Sequence, residues 1–158
     1  MFERAHLHLA IAIVVSSCGG GAAPLRDPPL VQEAVAQSDD LIVPGKRVGP
    51  FRLGMYMDEV IRKFGQPLSR LDPLDWAARF DYGNVVLNFT GNAAPWVDTI
   101  SVYGGSYHTA EGIHVGSSMF DVARTNGPSC QSDWACPGIQ FWHDNRYHTV
   151  AYINVRSP

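Results

Sequence analysis

The sequence predicts an α+β fold of two tandem units, in which a helix precedes antiparallel strands and the helices pack on one face of the sheet. An internal repeat is the first observation behind this class. Residues 51–65 align without gaps with residues 113–127, and the identities include Gly54 with Gly116. Self-similarity at a fixed offset marks duplicated supersecondary units. The second observation is an alternation of apolar and polar residues after each repeated segment, which is typical of strands covered on one face.

Each helix is predicted from apolar spacing and from the residues at its ends. The apolar residues that recur at helical spacing are Met57, Val60, Ile61 and Phe64 in the first unit and Met119, Val122 and Ala123 in the second. Gly65 and Gly127 stand where a helix C-cap favours a residue that tolerates positive φ, and a proline follows each of them closely. Ser118 is expected to cap the second helix, and Asp121 favours its first turn.

The segments after the helices are predicted to be strands, because apolar and polar residues alternate in them with a period of two. They cover residues 79–82, 85–89, 98–103, 139–142 and 151–156. The pairs Gly91-Asn92 and Asp144-Asn145 favour hairpin turns. The last strands of the two units also correspond at a constant offset, since Val97, Ile100 and Val102 match Val150, Ile153 and Val155.

A targeting segment and a linker precede the repeat. The apolar run from Leu7 to Val15 is too short to span a bilayer, which needs about 20 apolar residues, and it is typical of a signal peptide. We therefore expect a signal peptide at 1–17, a flexible Gly- and Pro-rich linker with the lipidated cysteine at 18–43, and a single globular domain at 44–158. Within that domain the two repeats are expected at about 48–108 and 110–158.

Cys18 indicates which kind of signal peptide this is. The run Val15-Ser16-Ser17-Cys18 resembles the lipobox of bacterial lipoprotein precursors, which implies cleavage before Cys18 and lipidation of its sulfur and amino group. Several acyl chains anchor a protein firmly, so the lipid bilayer is an expected partner. Gly19 after the cysteine further implies sorting to the outer membrane, facing the periplasm. The alternative is an ordinary signal peptide cleaved later, near Ala22-Ala23.

Charge and cysteine usage narrow the classes of partner and cofactor. The net charge is −3 and no long basic run is present, so nucleic acid is not an expected partner. Cys130 and Cys136 are expected to form a disulfide, since they are an even pair in an oxidising compartment. The alternative is a metal site that also uses His143 or His148, although the cysteines are farther apart than in structural zinc sites. We expect no metal and no other cofactor.

The search for catalytic chemistry finds no recognised motif. There is no G-x-S-x-G elbow, no phosphate-binding glycine loop and no H-E-x-x-H. Ser106, His108 and Asp98 are the best candidates for a nucleophile, a base and an orienting carboxylate, and the alternative is a polar loop with a surface histidine. His143 and His148 lie around a predicted hairpin turn, where solvated polar residues are expected. The sequence therefore predicts that the protein is not an enzyme.

The polar face of the sheet is the best candidate for a binding site. Six side chains are expected to point the same way: Arg79, Tyr103, Trp142, Tyr152, Asn154 and Arg156. Aromatic residues and arginine are enriched at the hot spots of protein interfaces. The alternative is that another element covers this face, or that the aromatic residues only rim the sheet. The prediction depends on the strand phase at Trp142, because a slip of one residue sends that side chain into the core.

The first unit carries the residues of a family resemblance. Its segments Leu53-Gly54-Met55, Asp58-Glu59-Val60 and Phe64-Gly65-Gln66-Pro67 resemble the motif of SmpA/OmlA (BamE-like) lipoproteins, and the tandem arrangement is similar to that of β-lactamase inhibitory proteins. The second copy departs from the motif, since Ser117 replaces Met55. The resemblance implies an action through binding other proteins.

These observations lead to one expected function and two alternatives. We expect a membrane-tethered, non-enzymatic lipoprotein of the bacterial envelope that binds another envelope protein through the polar sheet face. The first alternative is an inhibitor of a secreted or periplasmic hydrolase. The second is an enzyme of an unnamed class that uses Ser106 and His108.

Overall fold

The structure is a computed structural model that describes residues 39–72, 77–130 and 134–158. The signal peptide, Cys18 and the linker up to residue 38 lie outside the described residues. A seven-stranded sheet has the spatial order β4 (Ser69–Leu71), β5 (Ala78–Asp81), β6 (Val85–Thr90), β7 (Trp96–Val102), β11 (Thr149–Arg156), β10 (Ile139–Asp144) and β9 (Ala135–Cys136). A four-stranded sheet has the order β3 (Phe51–Arg52), β2 (Arg47–Val48), β1 (Leu41–Val43) and β8 (His108–Thr109).

The predicted α+β class, with helices packed on one face of the sheet, is wrong. The described chain is mostly β, since its two α-helices, α1 (Met57–Phe64) and α2 (Met119–Asn126), have only eight residues each. The small sheet was not predicted at all. Its strands have two or three residues, which is too short for a period of two to be recognised in the sequence. β1 also shows that the last residues of the expected linker belong to the fold, because Ile42 is fully buried.

All neighbouring strands of the large sheet are antiparallel, and all five predicted strands are present in it. The alternation in their sequences sends one set of side chains into the core and the other to the opposite face. A single hydrophobic cluster joins the inner face of this sheet to the small sheet and to both helices. Its largest fully buried side chains are Phe80, Phe89 and Phe141.

The internal repeat reappears as repeated hydrogen bonds. In the first half the amide of Gly54 donates to the carbonyl of Val97, and Val97 donates to Met55, each at 2.8 Å. In the second half Gly116 donates to Val150, and Val150 donates to Ser117, at the same distance. Thus the residues that correspond in sequence make the same backbone contacts. Both glycines also have a positive φ, 79° at Gly54 and 95° at Gly116, which favours glycine over other residues.

The two halves meet where the last strand of one pairs with the last strand of the other. Val102 on β7 lies opposite Ile153 on β11, and Ile100 lies opposite Val155. The residues that correspond in sequence are Val102 with Val155 and Ile100 with Ile153. The pairing is therefore reciprocal, as at a two-fold interface, and it joins the strands of both halves into one sheet.

The helix ends agree with the predictions in α1 but only in part in α2. Gly65 ends α1 with a φ of 80°. Ser118 caps α2 as expected, because its hydroxyl accepts a hydrogen bond from the amide of Asp121 at 3.1 Å. The hydroxyl of Ser118, and then Arg124, lower the pKa of Asp121. Gly127 is the C-cap residue of α2, as predicted, but its φ is −49° rather than positive. The chain continues there into a 3₁₀ turn, Gly127–Ser129, whose first turn tolerates proline.

Candidate protein-binding face

The outer face of the large sheet carries all six side chains that the sequence placed there. The β10 phase is as predicted, because Phe141 is buried and Trp142 is 43% exposed. Cross-strand pairing then orders the residues in rows. Trp142 lies opposite Tyr152, and Tyr103 continues the same row directly after the end of β7, one residue beyond the pair of Val102 with Ile153.

A row of three aromatic residues crosses this face, and we call Tyr103, Tyr152 and Trp142 the aromatic ladder. The ring centroids of Tyr103 and Tyr152 are 5.3 Å apart, and those of Tyr152 and Trp142 are 5.4 Å apart. Both pairs are stacked, with interplanar angles of 25° and 10°. Tyr103 is 44% exposed, so both ends of the ladder are open to solvent while Tyr152 is half-buried between them.

The spacing of the ladder follows from the sheet. Neighbouring strands lie about 4.8 Å apart, so side chains in one cross-strand row stack without leaving their preferred rotamers. Burial, and then the neighbouring Tyr103, raise the pKa of Tyr152 above 10.0. The Tyr152 phenol therefore stays protonated at neutral pH and keeps its O–H as a donor. The ladder presents a rigid apolar strip edged by polar atoms.

The two arginines lie on the same face but not beside the ladder. Arg79 pairs with Asn88, Asn88 with Thr99, and Thr99 with Arg156, so the arginines are three strands apart, or roughly 14 Å. A middle row that contains Asp81, Val86, Ser101, Asn154 and Gln140 separates this row from the ladder. The structure thus brings the three aromatic residues together and leaves the arginines apart from them and from each other.

Asn154 has the one buried side-chain polar atom without a hydrogen-bond partner in the described part of the chain, its Oδ1. An unsatisfied buried acceptor costs about 1–3 kcal/mol. We expect Asn154→Val to raise the free energy of unfolding by about 1 kcal/mol, measured by urea unfolding. Gln140 lies directly opposite and has no such atom, so Gln140→Val is the control and should change stability by less than about 0.5 kcal/mol. A loss of stability in Asn154→Val would contradict this assignment.

The residues suggested for catalysis are not assembled into a site. Ser106 donates a hydrogen bond to Asp40 rather than to a histidine, and the Nδ1 of His108 lies 2.9 Å from the backbone carbonyl of Ser106. Asp98 is four residues before the end of β7, and its carboxylate accepts a hydrogen bond from the hydroxyl of Thr99. These hydrogen bonds do not form the predicted series of nucleophile, base and orienting carboxylate from Ser106 to His108 to Asp98.

Cys130 and Cys136 form a disulfide, which confirms the predicted pair and takes these sulfurs out of the alternative metal site. Within the described ranges, no group of three or more His, Cys, Asp or Glu side chains is placed to hold a metal ion. No helix among the same residues is long and apolar enough to cross a membrane.

Comparisons with known proteins do not test the resemblance to SmpA/OmlA lipoproteins and β-lactamase inhibitory proteins, which stays an expectation. Models of protein families, curated proteins and solved structures give no match to this chain. The candidate site therefore depends on the geometry of this face alone.

The expected set omitted the residues beside Trp142 at the end of the ladder. A cleft of about 290 Å³ lies there, lined by Gln140, Phe141, Trp142, His143 and Asn145. The sequence signal for it is weak. Pro137-Gly138 indicates a turn before β10, but nothing in the residues shows that β9 covers only part of β10.

Proposed function

We propose that this protein is a membrane-tethered, non-enzymatic lipoprotein of the bacterial envelope that binds another envelope protein through the outer face of its large sheet. The exposed aromatic ladder is the observation that carries the proposal. Lipidation at Cys18 and an outer-membrane location facing the periplasm are parts of the same proposal, and they rest on the lipobox-like run in the sequence.

The ladder suits a protein partner for three reasons. Tyrosine and tryptophan contribute large contact areas and are enriched at interface hot spots. The three rings are held by stacking on adjacent strands, so little side-chain entropy remains to be lost on binding. The middle row beside the ladder includes the half-buried amide side chains of Gln140 and Asn154, which supply polar contacts next to an apolar hot spot.

Partner capture by ladder variants tests the proposal. We expect Trp142→Ala combined with Tyr152→Ala to weaken partner binding by about 100-fold or more, because each is a candidate hot-spot truncation. The measurement is in-cell crosslinking of the tagged full chain, followed by titration of the identified partner. Tyr147 is 64% exposed and lies outside the ladder, so Tyr147→Ala is the matched control and should bind as the unchanged protein does. Equal binding by the double variant, with unchanged thermal unfolding, would refute the proposed surface.

The identity of the captured protein separates this function from its alternative. An outer-membrane assembly or scaffold protein supports an adaptor. If the captured protein is a hydrolase that loses activity when the purified protein is added, the protein is an inhibitor and not an adaptor. If activity appears in the protein itself and is lost in Ser106→Ala and His108→Ala, the non-enzymatic part of the proposal fails.

A further inference from the structure

Hydrogen bonds at both ends of β10 indicate to which side each residue of the strand directs its backbone amide and carbonyl. At the start, the carbonyl of Gly138 accepts from the amide of Arg156 at 3.2 Å, so even-numbered residues of β10 direct their backbone groups toward β11. At the far end, Val150 uses both its amide and its carbonyl for bonds to Ser117 and Gly116. His143, which lies opposite Val150, therefore makes no backbone hydrogen bonds to β11. Its amide and carbonyl are directed away from β11, to the other side of β10.

Odd-numbered residues of β10 thus face the outer edge of the sheet, where β9 is the neighbouring strand among the described residues. β9 has two residues and pairs only with Ile139 and Gln140. Beyond that point no described strand pairs with Phe141 and His143 on the side toward which their amides and carbonyls are directed. Among the described residues, no hydrogen-bond partner for these amides and carbonyls is found outside the pairing of β10 with its neighbouring strands. Four backbone groups in a row at a sheet edge are a template for another strand.

This edge lacks the features that usually block strand addition. The run Ile139–Asp144 contains no proline, lysine or arginine. A β-bulge occurs between Trp142 and His143, but its extra residue is Ala151 on β11, so β10 keeps its regular alternation at the open edge. Among the described strands, none pairs with this side of β10 at the point where the aromatic ladder ends.

The side chains beside the open edge are suited to an added strand. Trp142 stands on the outer face of β10, so its indole would have a cross-strand neighbour if one more strand were present. The cleft of about 290 Å³ at Gln140 and Asn145 is next to the same position. Backbone groups at the edge and a partly exposed aromatic ring beside them together provide affinity and side-chain selection.

We infer that an extended segment of the partner protein adds to β10 at Phe141–His143 as an eighth strand and places an aromatic or β-branched side chain against Trp142. This inference rests on the proposed function and names its mode of recognition. A row of amides and carbonyls selects a polypeptide backbone, since it offers donors and acceptors at the spacing of a strand. The aromatic ladder then continues from Trp142 onto a side chain of the added strand.

A symmetric antiparallel pair of two copies centred on Trp142 is not compatible with this edge. In a symmetric antiparallel pair centred on Trp142, Asp144 of one copy would lie opposite Gln140 of the other. Ala135 already occupies the edge position beside Gln140. The two cannot share this position, so the copies would collide at both ends of the pairing.

The test separates backbone recognition from side-chain recognition at one residue. His143→Pro removes the outward amide, and proline is tolerated at the solvent side of an edge strand because no ladder bond is lost there. His143→Ala removes the imidazole and keeps the amide. Both are made in the full chain with a photocrosslinking residue at position 145, and the partner peptide crosslinked in the cell is identified. We expect His143→Pro to lose at least tenfold more crosslinking than His143→Ala, because only the proline variant lacks the outward amide.

A second measurement keeps the inference testable if His143→Pro does not fold. The crosslinked partner segment is synthesised and added to the unchanged protein, and amide hydrogen exchange is followed residue by residue. Strand addition predicts that amide exchange slows at Phe141 and His143, while the exchange of the β10 amides that face β11 changes little. Unslowed exchange at both residues in the saturated complex overturns the inference.

The outcomes also separate this inference from the proposed function. If His143→Pro binds normally and the Trp142→Ala, Tyr152→Ala variant does not, the face binds the partner without strand addition, and only the inference is lost. If a partner is captured in a way that depends on the ladder but never from position 145, the result is the same. If neither variant changes binding, the proposed surface falls together with the inference.

Discussion

Gly138→Ala is expected to lower the free energy of unfolding by about 3–5 kcal/mol, because a methyl group at this position would clash with the backbone of Pro44 and Gly45. A Cβ built on Gly138 would lie 2.4 Å from the amide nitrogen of Gly45 and 2.9 Å from the carbonyl carbon of Pro44. Its φ of +77° adds left-handed strain. The amide of Gly45 donates to the carbonyl of Gly138 at 2.8 Å, so the clash also breaks a bond between the β1–β2 turn and the large sheet.

Gly65→Ala is the matched control for this substitution. Gly65 has a nearly identical φ of +80°, but no atom lies within 4 Å of the added methyl group. Its cost should be the conformational one alone, about 1–3 kcal/mol, because a φ of 80° with a ψ of −171° is a conformation that residues other than glycine rarely adopt. Urea unfolding of both variants measures the difference. Equal losses would mean that the two turns can separate freely, and would contradict the close approach of Gly45 and Gly138.

Phe80→Ala is expected to lower the free energy of unfolding by about 3–5 kcal/mol, which is a large fraction of the stability of a domain. Phe80 is fully buried, and its ring centroid lies 4.7 Å from that of Phe89 on the next strand. The guanidinium of Arg70 lies 5.5 Å from the Phe80 ring at the edge of the core. Removing the ring therefore leaves a cavity that rigid strands close poorly, and it also removes a cation–π partner.

Phe120 provides the control for loss of an aromatic ring as such. It is 76% exposed on α2, and Phe120→Ala should change the free energy of unfolding by less than about 0.5 kcal/mol. Thermal and urea unfolding of both variants decide the matter. A loss below about 1 kcal/mol in Phe80→Ala would show that this strand is not part of the central core.

The sequence predicted the strands and the helices more accurately than the class of fold. The segments around Phe80 and Ile153 alternate over enough residues for the period of two to be recognised, and they form strands at those positions. The helices were placed correctly as well, but at eight residues each they contribute little to the whole. Strands of two residues, such as β2, carry no periodic signal and form through pairing that only the folded chain supplies.

The candidate face shows the same division. Alternation alone placed Trp142 and Tyr152 on the polar side of their strands, because side-chain direction follows from strand phase. That Tyr103 joins them depends on the pairing of β7 with β11, strands that belong to different halves of the repeat. Sequence alternation has no information on which strands become neighbours, so it grouped the arginines with the aromatic residues although the sheet separates them.

Local physical chemistry is what the sequence by itself determined. Ser118 caps a helix because its hydroxyl reaches an amide three residues away, and the disulfide of Cys130 with Cys136 joins near neighbours in the chain. Only the tertiary structure decided the open edge of β10 and the stack of three rings, since these depend on the order of strands and on the end of β9. The physical reason is that hydrogen bonding between strands joins residues that are distant in sequence, whereas propensity, phase and capping act within a few residues.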